Sequence, residues 1–223
     1  MRIITGSNEA AMDMAKNLLT SLKKVGIPLS DVDLYVFKGH PSTEDYGTNG
    51  FNRLQRQKLE VILDALKTHD EIVWVDADIV AMQDFRFDLQ LRGALDEMAI
   101  QDGLSNCYCA GFMYMHRTQG VIDLLKRAIR IMDARHYNLD DEGALNATIV
   151  PSGVKAIKLP YFLYPVGSVY FDHKIQLDSL IIHNNYIIGF EKKKKRFEDH
   201  GLWRIDDDVL NQVNTIHKWE EIK

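Results

Sequence analysis

The chain has 223 residues, of which 46% are hydrophobic and 26% are charged, as is typical of one globular α/β domain with a substantial core. The net charge of −5, from 27 basic and 32 acidic residues, excludes a general attraction to nucleic acid. No apolar run approaches the roughly 18 residues that a membrane span requires, and the first residues become polar too early for a signal peptide. The only cysteines, Cys107 and Cys109, are spaced too closely to favour a disulfide. These features predict a cytoplasmic protein.

The first third of the chain alternates between short apolar runs and amphipathic segments. The first run, residues 2–5, ends in Gly6-Ser7-Asn8, where the glycine permits an irregular turn and Ser7 or Asn8 can begin a helix. The order of strand, turn, helix and strand predicts a doubly wound sheet that binds a nucleotide or similar ligand at its strand ends. The predicted elements are strand 2–5, helix 9–24, strand 33–37, a polar loop at 38–50 and helix 52–67.

The segment Glu71–Asp78 is the one around which the sequence is organised. Four apolar residues, 72–75, run directly into Asp76 and Asp78, which predicts a strand buried on both faces that ends in two carboxylates. Unpaired carboxylates are costly to bury, so this pair belongs at the carboxyl end of the strand, where open α/β sheets bind ligands. Two close carboxylates repel each other unless a cation lies between them, and Mn²⁺ or Mg²⁺ meets that need. The alternative is that both aspartates only cap a following turn or helix.

The middle of the chain contains a glycine inside a strand and a run of three acids. Gly111 lies within the predicted strand 109–115, where a glycine marks either a bulge or a close approach by backbone or ligand. Asp140, Asp141 and Glu142 either favour a helix amino terminus or, if their turn faces the site, provide one acid that binds a sugar hydroxyl or acts as a base. The other predicted elements here are strand 97–102, helix 118–134 and short strands with loops over 156–172, on the acceptor side.

The last predicted strand, residues 180–182, ends directly in His183. A histidine at such a place is most often a hydrogen-bonded structural residue, but its neutral imidazole is also a good ligand for Mn²⁺. Gly189 and Lys192 follow, and a glycine lets backbone approach a diphosphate that a lysine can neutralise. The basic segment 190–200 predicts a helix, and the tail after it is predicted to be helical in places.

The valine-to-valine segment 73–80 around the two aspartates, the glycine-containing segment 110–114, the acidic segment 141–146 and the segment 182–189 after the last strand form a set. Taken together, they resemble the nucleotide-diphospho-sugar transferases, which are metal-dependent glycosyltransferases of the GT-A fold. The segments appear in the family's order, and the resemblance covers roughly residues 1–203. It implies an α/β fold with a Rossmann-like, mostly parallel central sheet flanked by helices, and a smaller acceptor-side region. The segments are Val73–Val80, Ala110–Tyr114, Asp141–Asn146 and Ile182–Gly189.

The resemblance also implies an activity and a domain organisation. A sugar would move from a nucleoside-diphosphate sugar, UDP-linked in this interpretation, to a hydroxyl group of a glycan, glycoprotein or glycolipid acceptor, with Mn²⁺ or Mg²⁺ stabilising the leaving diphosphate. The whole chain, 1–223, would be one glycosyltransferase domain. Its parts would be a nucleotide-binding half at about 1–105, a donor-sugar and acceptor half at about 106–203 and a tail at 204–223.

The same resemblance implies roles for individual residues. Asp76, Asp78 and His183 would hold the metal ion. An acid from the turn at 140–142 would meet the sugar or the acceptor, and which acid acts stays open, because this turn reads Asp-Asp-Glu-Gly where relatives more often have Asp-Gln-Asp. The donor-binding residues would be Thr5, Gly6, Ser7, Asp76, Ala77, Gly111, Gly189 and Lys192, with Arg53 and Lys58 of the helix at 52–67 as further candidates for a phosphate contact.

Other interpretations stay open at this point. The segment Asp76–Val80 also resembles the nucleophile motif of haloacid-dehalogenase-type phosphatases, in which Asp76 would be the nucleophile and Asp78 the acid/base. That motif normally follows the first strand, whereas two strands precede it here, and it leaves His183 without a role. A protein of the same fold that binds sugar nucleotides without turnover is the non-enzyme alternative. The basic cluster Lys192–Arg196 is a solvated helix face, a peripheral contact with an anionic membrane surface, or, in the interpretation favoured here, a solvated face from which Lys192 alone points into the site.

Overall fold

The computed structural model describes residues 1–38, 48–94, 96–136, 138–173 and 178–219. Most of the predicted loop at 38–50 and the end of the predicted tail lie outside the described residues. Within these ranges no helix combines the length and the apolarity that crossing a membrane requires.

The strands are β1 Arg2–Asn8, β2 Val32–Phe37, β3 Glu71–Asp76, β4 Ile79–Ala81, β5 Met98–Asp102, β6 Tyr108–His116, β7 Ala156–Leu159, β8 Ile181–His183 and β9 Thr215–Trp219. The α-helices are α1 Met12–Lys24, α2 Asn49–Thr68, α3 Arg86–Gly93, α4 Gln119–Ala134, α5 Asp141–Ser152 and α6 Phe190–Asp199.

Seven of the described strands form one sheet in the order β7-β5-β6-β3-β1-β2-β9. Each neighbouring pair is parallel except those that include β6, which runs antiparallel to both β3 and β5. Ile72 and Trp74 of β3 pack with α2, α4 and α5 on one face of the sheet, and Val73 and Val75 pack with α1 and α3 on the other. The prediction that β3 is buried on both faces is therefore confirmed, as is the predicted fold class of a mostly parallel sheet between helices.

The sheet brings the ends of distant segments to one place. In the parallel register of β1 and β3, Gly6 lies opposite Asp76. β4 begins directly after Asp78 and pairs antiparallel with β8, so that Ile79 lies opposite His183. The fold therefore places the two aspartates beside a histidine that is more than a hundred residues away along the chain.

The tail contains a strand that the sequence did not predict. β9 pairs in parallel with β2 at the edge of the sheet, where Tyr35 stacks on His217 with 4.3 Å between the ring centroids and meets Trp219 edge-on. The prediction that residues 180–182 are the last strand is therefore wrong. An edge strand is covered on fewer sides than a central one, and Ile216 of β9 is 45% exposed, so the segment carries little of the apolar pattern that marks buried strands.

Candidate active site

A cavity of about 650 Å³ opens at the carboxyl ends of β1 and β3. This is the position at which open α/β sheets bind ligands, and the volume lies within the usual range of ligand sites, about 300–1,000 Å³. The lining comes from the ends of β1 and β3, from α2, from β6, from the start of α5 and from the segment between β8 and α6. Its charged and titratable residues include Lys58, Asp76, Asp78, Asp141, Glu142, His183 and Lys193.

Two carboxylates and one imidazole converge at the base of this cavity. His183 Nε2 lies 3.3 Å from Asp78 Oδ1 and 4.0 Å from Asp76 Oδ2. One ligand atom from each of the three residues lies within 4.8 Å of the others. Oxygen and imidazole nitrogen ligands suit a divalent cation such as Mn²⁺ or Mg²⁺, so these residues could hold such an ion.

Backbone pairing fixes the relative positions of Asp78 and His183. The two strands β4 and β8 pair next to the cluster, and the Asn184 N–H donates to the backbone oxygen of Asp78 at 2.9 Å. Asp78 and His183 are both buried. The cluster is therefore built on hydrogen-bonded strand ends, which hold side chains more precisely than a free loop would.

Lys58 is a buried cation that joins two of the acidic segments. Its ammonium lies 3.0 Å from Asp76 Oδ1 and 2.7 Å from Asp141 Oδ2, and the residue is only 3% exposed. Burial alone lowers a lysine pKa, but Asp141 and Asp76 outweigh it and raise the pKa of Lys58 above its ordinary value. Trp74 Nε1 donates a second hydrogen bond to Asp76 Oδ1 at 2.6 Å. Asp76 is thus held from two directions before any ligand binds.

Lys193 is the second cation of the site, and it pairs with Asp78. Its ammonium lies 2.6 Å from Asp78 Oδ2. Burial opposes ionisation of this carboxyl, but Lys193 and His183 outweigh burial and hold the pKa of Asp78 well below its ordinary value. Lys193 lies in the first turns of α6, which begins after Gly189, a residue with φ +96° that a side chain would strain. The amino end of α6 therefore presents a lysine and backbone N–H groups beside the cluster.

The three consecutive acids have three different environments. Asp140 is the cap of α5, and its carboxylate accepts a hydrogen bond from the Gly143 N–H at 2.8 Å. Asp141 is buried in the ion pair with Lys58. Glu142 is half-buried in the cavity wall, where burial first and then Asp141 raise its pKa above the ordinary glutamate value.

A family model described as nucleotide-diphospho-sugar transferase matches residues 10–197. The chain belongs to this family. The match spans Asp76, Asp78, the acidic turn, His183 and Lys193, so the membership predicted from four short segments is confirmed. The match does not favour the phosphatase alternative.

Curated relatives of this family member are named as UDP-sugar transferases. A Dictyostelium discoideum protein named UDP-galactose:fucoside alpha-3-galactosyltransferase is 30% identical over 214 residues, which cover 81% of this chain and 32% of that protein. The Arabidopsis thaliana protein UDP-D-xylose:L-fucose alpha-1,3-D-xylosyltransferase 3 is 28% identical over 200 residues, which cover 76% of this chain and 52% of that protein. The aligned region thus corresponds to 32% and 52% of the lengths of these relatives.

Solved structures of glycosyltransferases share the fold of this family member. The glycosyltransferase GlyE of Streptococcus pneumoniae has a TM-score of 0.60 and 15% identity, with coverage of 94% of this chain and 62% of that one. A glycosyltransferase involved in the glycosylation of the major capsid of PBCV-1 has a TM-score of 0.64 and 12% identity, covering 88% and 98%. The galactosyltransferase LgtC, solved with donor and acceptor sugar analogs, has a TM-score of 0.53 and 8% identity, covering 96% and 100%. The predicted GT-A fold is therefore confirmed.

The predicted donor-binding residues fall into two groups in this transferase-family structure. Thr5 is fully buried and lies outside the cavity lining, whereas Arg53 and Lys192 are exposed and also lie outside it. The lysine that borders the cavity is Lys193, one residue further along α6. The residues that do line the cavity are Gly6, Ser7, Lys58, Asp76, Ala77, Gly111 and Gly189.

Gly111 lines the cavity and also lies against the imidazole of His183. The resemblance assigned its missing side chain to the donor sugar. A Cβ at this position would lie 2.1 Å from His183 Cε1, which is far inside van der Waals contact. In this structure the imidazole of His183 fills the space beside Gly111, so the glycine is required by a residue of the cluster itself.

Sequence reasoning missed three residues that contact the cluster. Trp74 lies within an apolar run of the sequence, although its indole N–H reaches Asp76. Gln101 lies in β5 and contacts His183, and no local pattern marks it. Lys193 did carry a signal, because α6 begins at Phe190 and the buried Phe197 lies four residues after Lys193, on the same helical face. Helical periodicity would therefore have favoured Lys193 over Lys192.

Replacing Asp140 with alanine is expected to lower the free energy of unfolding by about 1 kcal/mol, because the first turn of α5 loses its side-chain cap. Asp140→Ser restores a capping oxygen and should keep both the stability and the transfer activity of the wild type. Urea unfolding and a transfer assay on the two variants check this. An Asp140→Ser protein of normal stability that has lost most of its activity would show that Asp140 acts in the reaction as well as in the cap. An Asp140→Ala protein as stable as the wild type would contradict the capping role.

Proposed function

We propose that this chain transfers a sugar from a UDP-sugar to a hydroxyl group of a fucose-containing glycan acceptor. One observation carries the proposal: in a nucleotide-diphospho-sugar transferase family member, Asp76, Asp78 and His183 converge at the base of a cavity that Lys193 and the amino end of α6 border. Relatives with UDP-galactose or UDP-xylose as donor and fucose or a fucoside as acceptor in their names support the choice of substrates.

Asp76, Asp78 and His183 would hold Mn²⁺ or Mg²⁺. Their donor set of two carboxylates and an imidazole fits such an ion, and the closeness of the half-buried Asp76 to the buried Asp78 favours a bound cation. When bound, the divalent ion stabilises the negative charge that develops on the departing diphosphate. The chain offers further positive groups for the same charge.

Lys193 and the start of α6 are the protein's own anion-binding groups. The amino end of a helix offers unpaired N–H groups and the positive end of the helix dipole, both of which favour phosphate. Gly189 lines the cavity with backbone only, so a diphosphate can approach the chain closely there. Lys193, paired with Asp78 before the donor binds, is near enough to neutralise the same diphosphate. We assign the predicted role of Lys192 to Lys193.

Glu142 is the acid that we assign to the donor sugar. All three acids of the turn line the cavity, but the carboxylate of Asp140 caps α5 and that of Asp141 pairs with Lys58, which leaves Glu142 for the sugar. Both relatives named above form alpha linkages, and because UDP-galactose and UDP-xylose carry their sugars in alpha linkage, alpha products correspond to retention of configuration. Retention requires no carboxylate base, since the leaving phosphate can accept the proton of the acceptor hydroxyl. Glu142 would then bind sugar hydroxyls and offset positive charge at the sugar carbon.

Calorimetric titration with UDP-galactose, UDP-xylose and a GDP-linked sugar, each with Mn²⁺ and with chelator, tests this function. We expect binding of a UDP-sugar that requires the divalent ion, followed by transfer to a synthetic L-fucoside that mass spectrometry detects. If no nucleotide sugar binds and the protein instead hydrolyses a phosphate ester, with the hydrolysis lost in Asp76→Ala, the proposal is overturned in favour of the phosphatase.

Glu142→Gln is expected to stabilise the metal-free protein increasingly as the pH rises. Because the pKa of Glu142 is raised on folding, the folded state holds this proton more tightly than the unfolded state. Stability therefore falls as the pH rises from the unfolded glutamate value, about 4.3, through the folded one. Urea unfolding between pH 4 and pH 7 in the presence of chelator, with the exposed Glu198→Gln as control, should show a difference that grows only for Glu142→Gln.

A further inference from the structure

The two nitrogens of the His183 imidazole have different surroundings. Nε2 faces the carboxylates of Asp78 and Asp76. Nδ1 lies 2.8 Å from Gln101 Oε1, and Cys109 Sγ is a more distant neighbour at 3.7 Å. His183 is 2% exposed, so these partners make up most of the surroundings of its ring. The state of the imidazole is therefore set by the protein around it.

The orientation of the Gln101 amide is fixed independently of His183. Gln101 Nε2 donates to the backbone oxygens of Tyr164 and Pro165, each at 3.0 Å, and the residue is fully buried. Both N–H groups of the amide are used in this way, so its oxygen is the atom that faces the imidazole. A carbonyl oxygen only accepts hydrogen bonds. Nδ1 must therefore carry a proton, so that in the neutral ring the lone pair is on Nε2.

The backbone ties Gln101 and His183 to the same segment. The His183 N–H donates to the Pro165 backbone oxygen at 3.3 Å, and that oxygen also accepts from Gln101. A shift of β8 relative to β5 would break at least one of these two contacts. The hydrogen bond between Gln101 and His183 is therefore anchored at both of its ends.

An irregularity in β6 makes room for the ring. Ile100 of β5 pairs with Met113, but the next residue, Gln101, pairs with Cys109. The residues between these partners, among them Gly111, bulge out of the ladder, as strands near active sites often do. The bulge presents the bare Cα of Gly111 to the face of the imidazole, where a Cβ would lie 2.1 Å from Cε1.

We propose that Gln101 and Gly111 form a socket that holds His183 in the Nδ1-protonated tautomer and turns its Nε2 lone pair toward Asp76 and Asp78. Gln101 is a positioning residue in this proposal, acting on the ligand set through His183. Partners of this kind orient metal-binding imidazoles and raise their basicity. The statement that Nε2 binds a metal ion rests on the proposed function. The position of the proton on Nδ1 is a property of the metal-free protein.

The tautomer is read by long-range ¹H–¹⁵N NMR of the metal-free protein at about pH 9, well above the usual histidine range. We expect wild-type His183, assigned from the signal lost in His183→Asn, to have its proton on Nδ1. In Gln101→Met the proton should move partly or wholly to Nε2, and in Gln57→Met, which changes another buried glutamine, it should stay. The proposal is overturned if the proton of wild-type His183 is on Nε2, or if Gln101→Met leaves the tautomer of His183 unchanged.

The second measurement is Mn²⁺ affinity, read from the EPR signal of free Mn²⁺ without any turnover. Gln101→Met is expected to weaken binding by about 10- to 100-fold, the usual effect of losing such a partner. Gly111→Ala should weaken Mn²⁺ binding at least as much. Gly120→Ala is the control and should leave the affinity unchanged, because a Cβ on this glycine of α4 would have no neighbour closer than 3.2 Å. Wild-type affinity in both socket variants counts against the proposal. If the wild type itself binds neither Mn²⁺ nor a UDP-sugar, the proposed function fails while the NMR result still decides the socket.

Discussion

Asp78→Asn is expected to lower kcat/KM for the UDP-sugar by about 10³-fold, equivalent to about 4 kcal/mol of transition-state stabilisation. The change keeps the size of the side chain but removes the charge that pairs with Lys193 and faces His183. The remaining carboxylate and imidazole would bind a divalent ion weakly. Lys193 would lose its partner at the same time, so its position beside the diphosphate would be less well defined.

Measuring binding and turnover separately makes this result decisive. Calorimetry should show that Mn²⁺-dependent UDP-sugar binding is lost in Asp78→Asn, while circular dichroism and thermal unfolding show a folded protein. Asp84→Asn is a matched control, because Asp84 is also ion-paired, with Arg86, but lies on the surface. Wild-type metal dependence in Asp78→Asn would remove Asp78 from the ligand set and leave Asp76 and His183 to account for the site.

A strand is predicted most directly when its surroundings are apolar on both faces. β3 was predicted because Ile72 to Val75 are all buried by helices on both faces of the sheet, which a continuous apolar run reports directly. β9 was missed because an exposed edge strand leaves no such run. The carboxylate pair could be predicted because it directly follows a buried strand. Gln101 could not, because its role depends on a contact with His183, which lies 82 positions away along the chain.

The position of a charged residue within a cluster was harder to predict than the presence of the cluster. Three acids occur in a row, but the start of α5 at Asp141 decides that Asp140 caps the helix and that Asp141 faces Lys58. Likewise, the start of α6 at Phe190 decides that Lys193 turns inward and Lys192 outward. A shift of one residue in either helix would exchange these roles, and single-sequence reasoning locates helix ends less precisely than that.

Lys58→Met is expected to lower the free energy of unfolding of the metal-free protein by about 3–5 kcal/mol, the usual result of removing one partner from a buried ion pair. Lys58 is 3% exposed and compensates both Asp76 and Asp141, so its loss leaves two carboxylates close together without their cation. Methionine has a similar length and fills the same space. The expected loss is therefore electrostatic and does not come from a cavity. The measurement is urea unfolding in the presence of chelator.

The double variant Lys58→Met/Asp141→Asn separates the ion pair from the packing of the lysine stem. Neutralising Asp141 removes one of the two uncompensated charges, so the double variant should be more stable than Lys58→Met alone, and the difference from additivity measures the coupling of the pair. Lys67→Met, at an exposed lysine paired with Asp64, should change stability by no more than about 0.5 kcal/mol. If Lys58→Met were equally mild, Asp76 and Asp141 would have to be compensated by other groups. Lys58 would then no longer explain why we assign the sugar contact to Glu142 and not to Asp141.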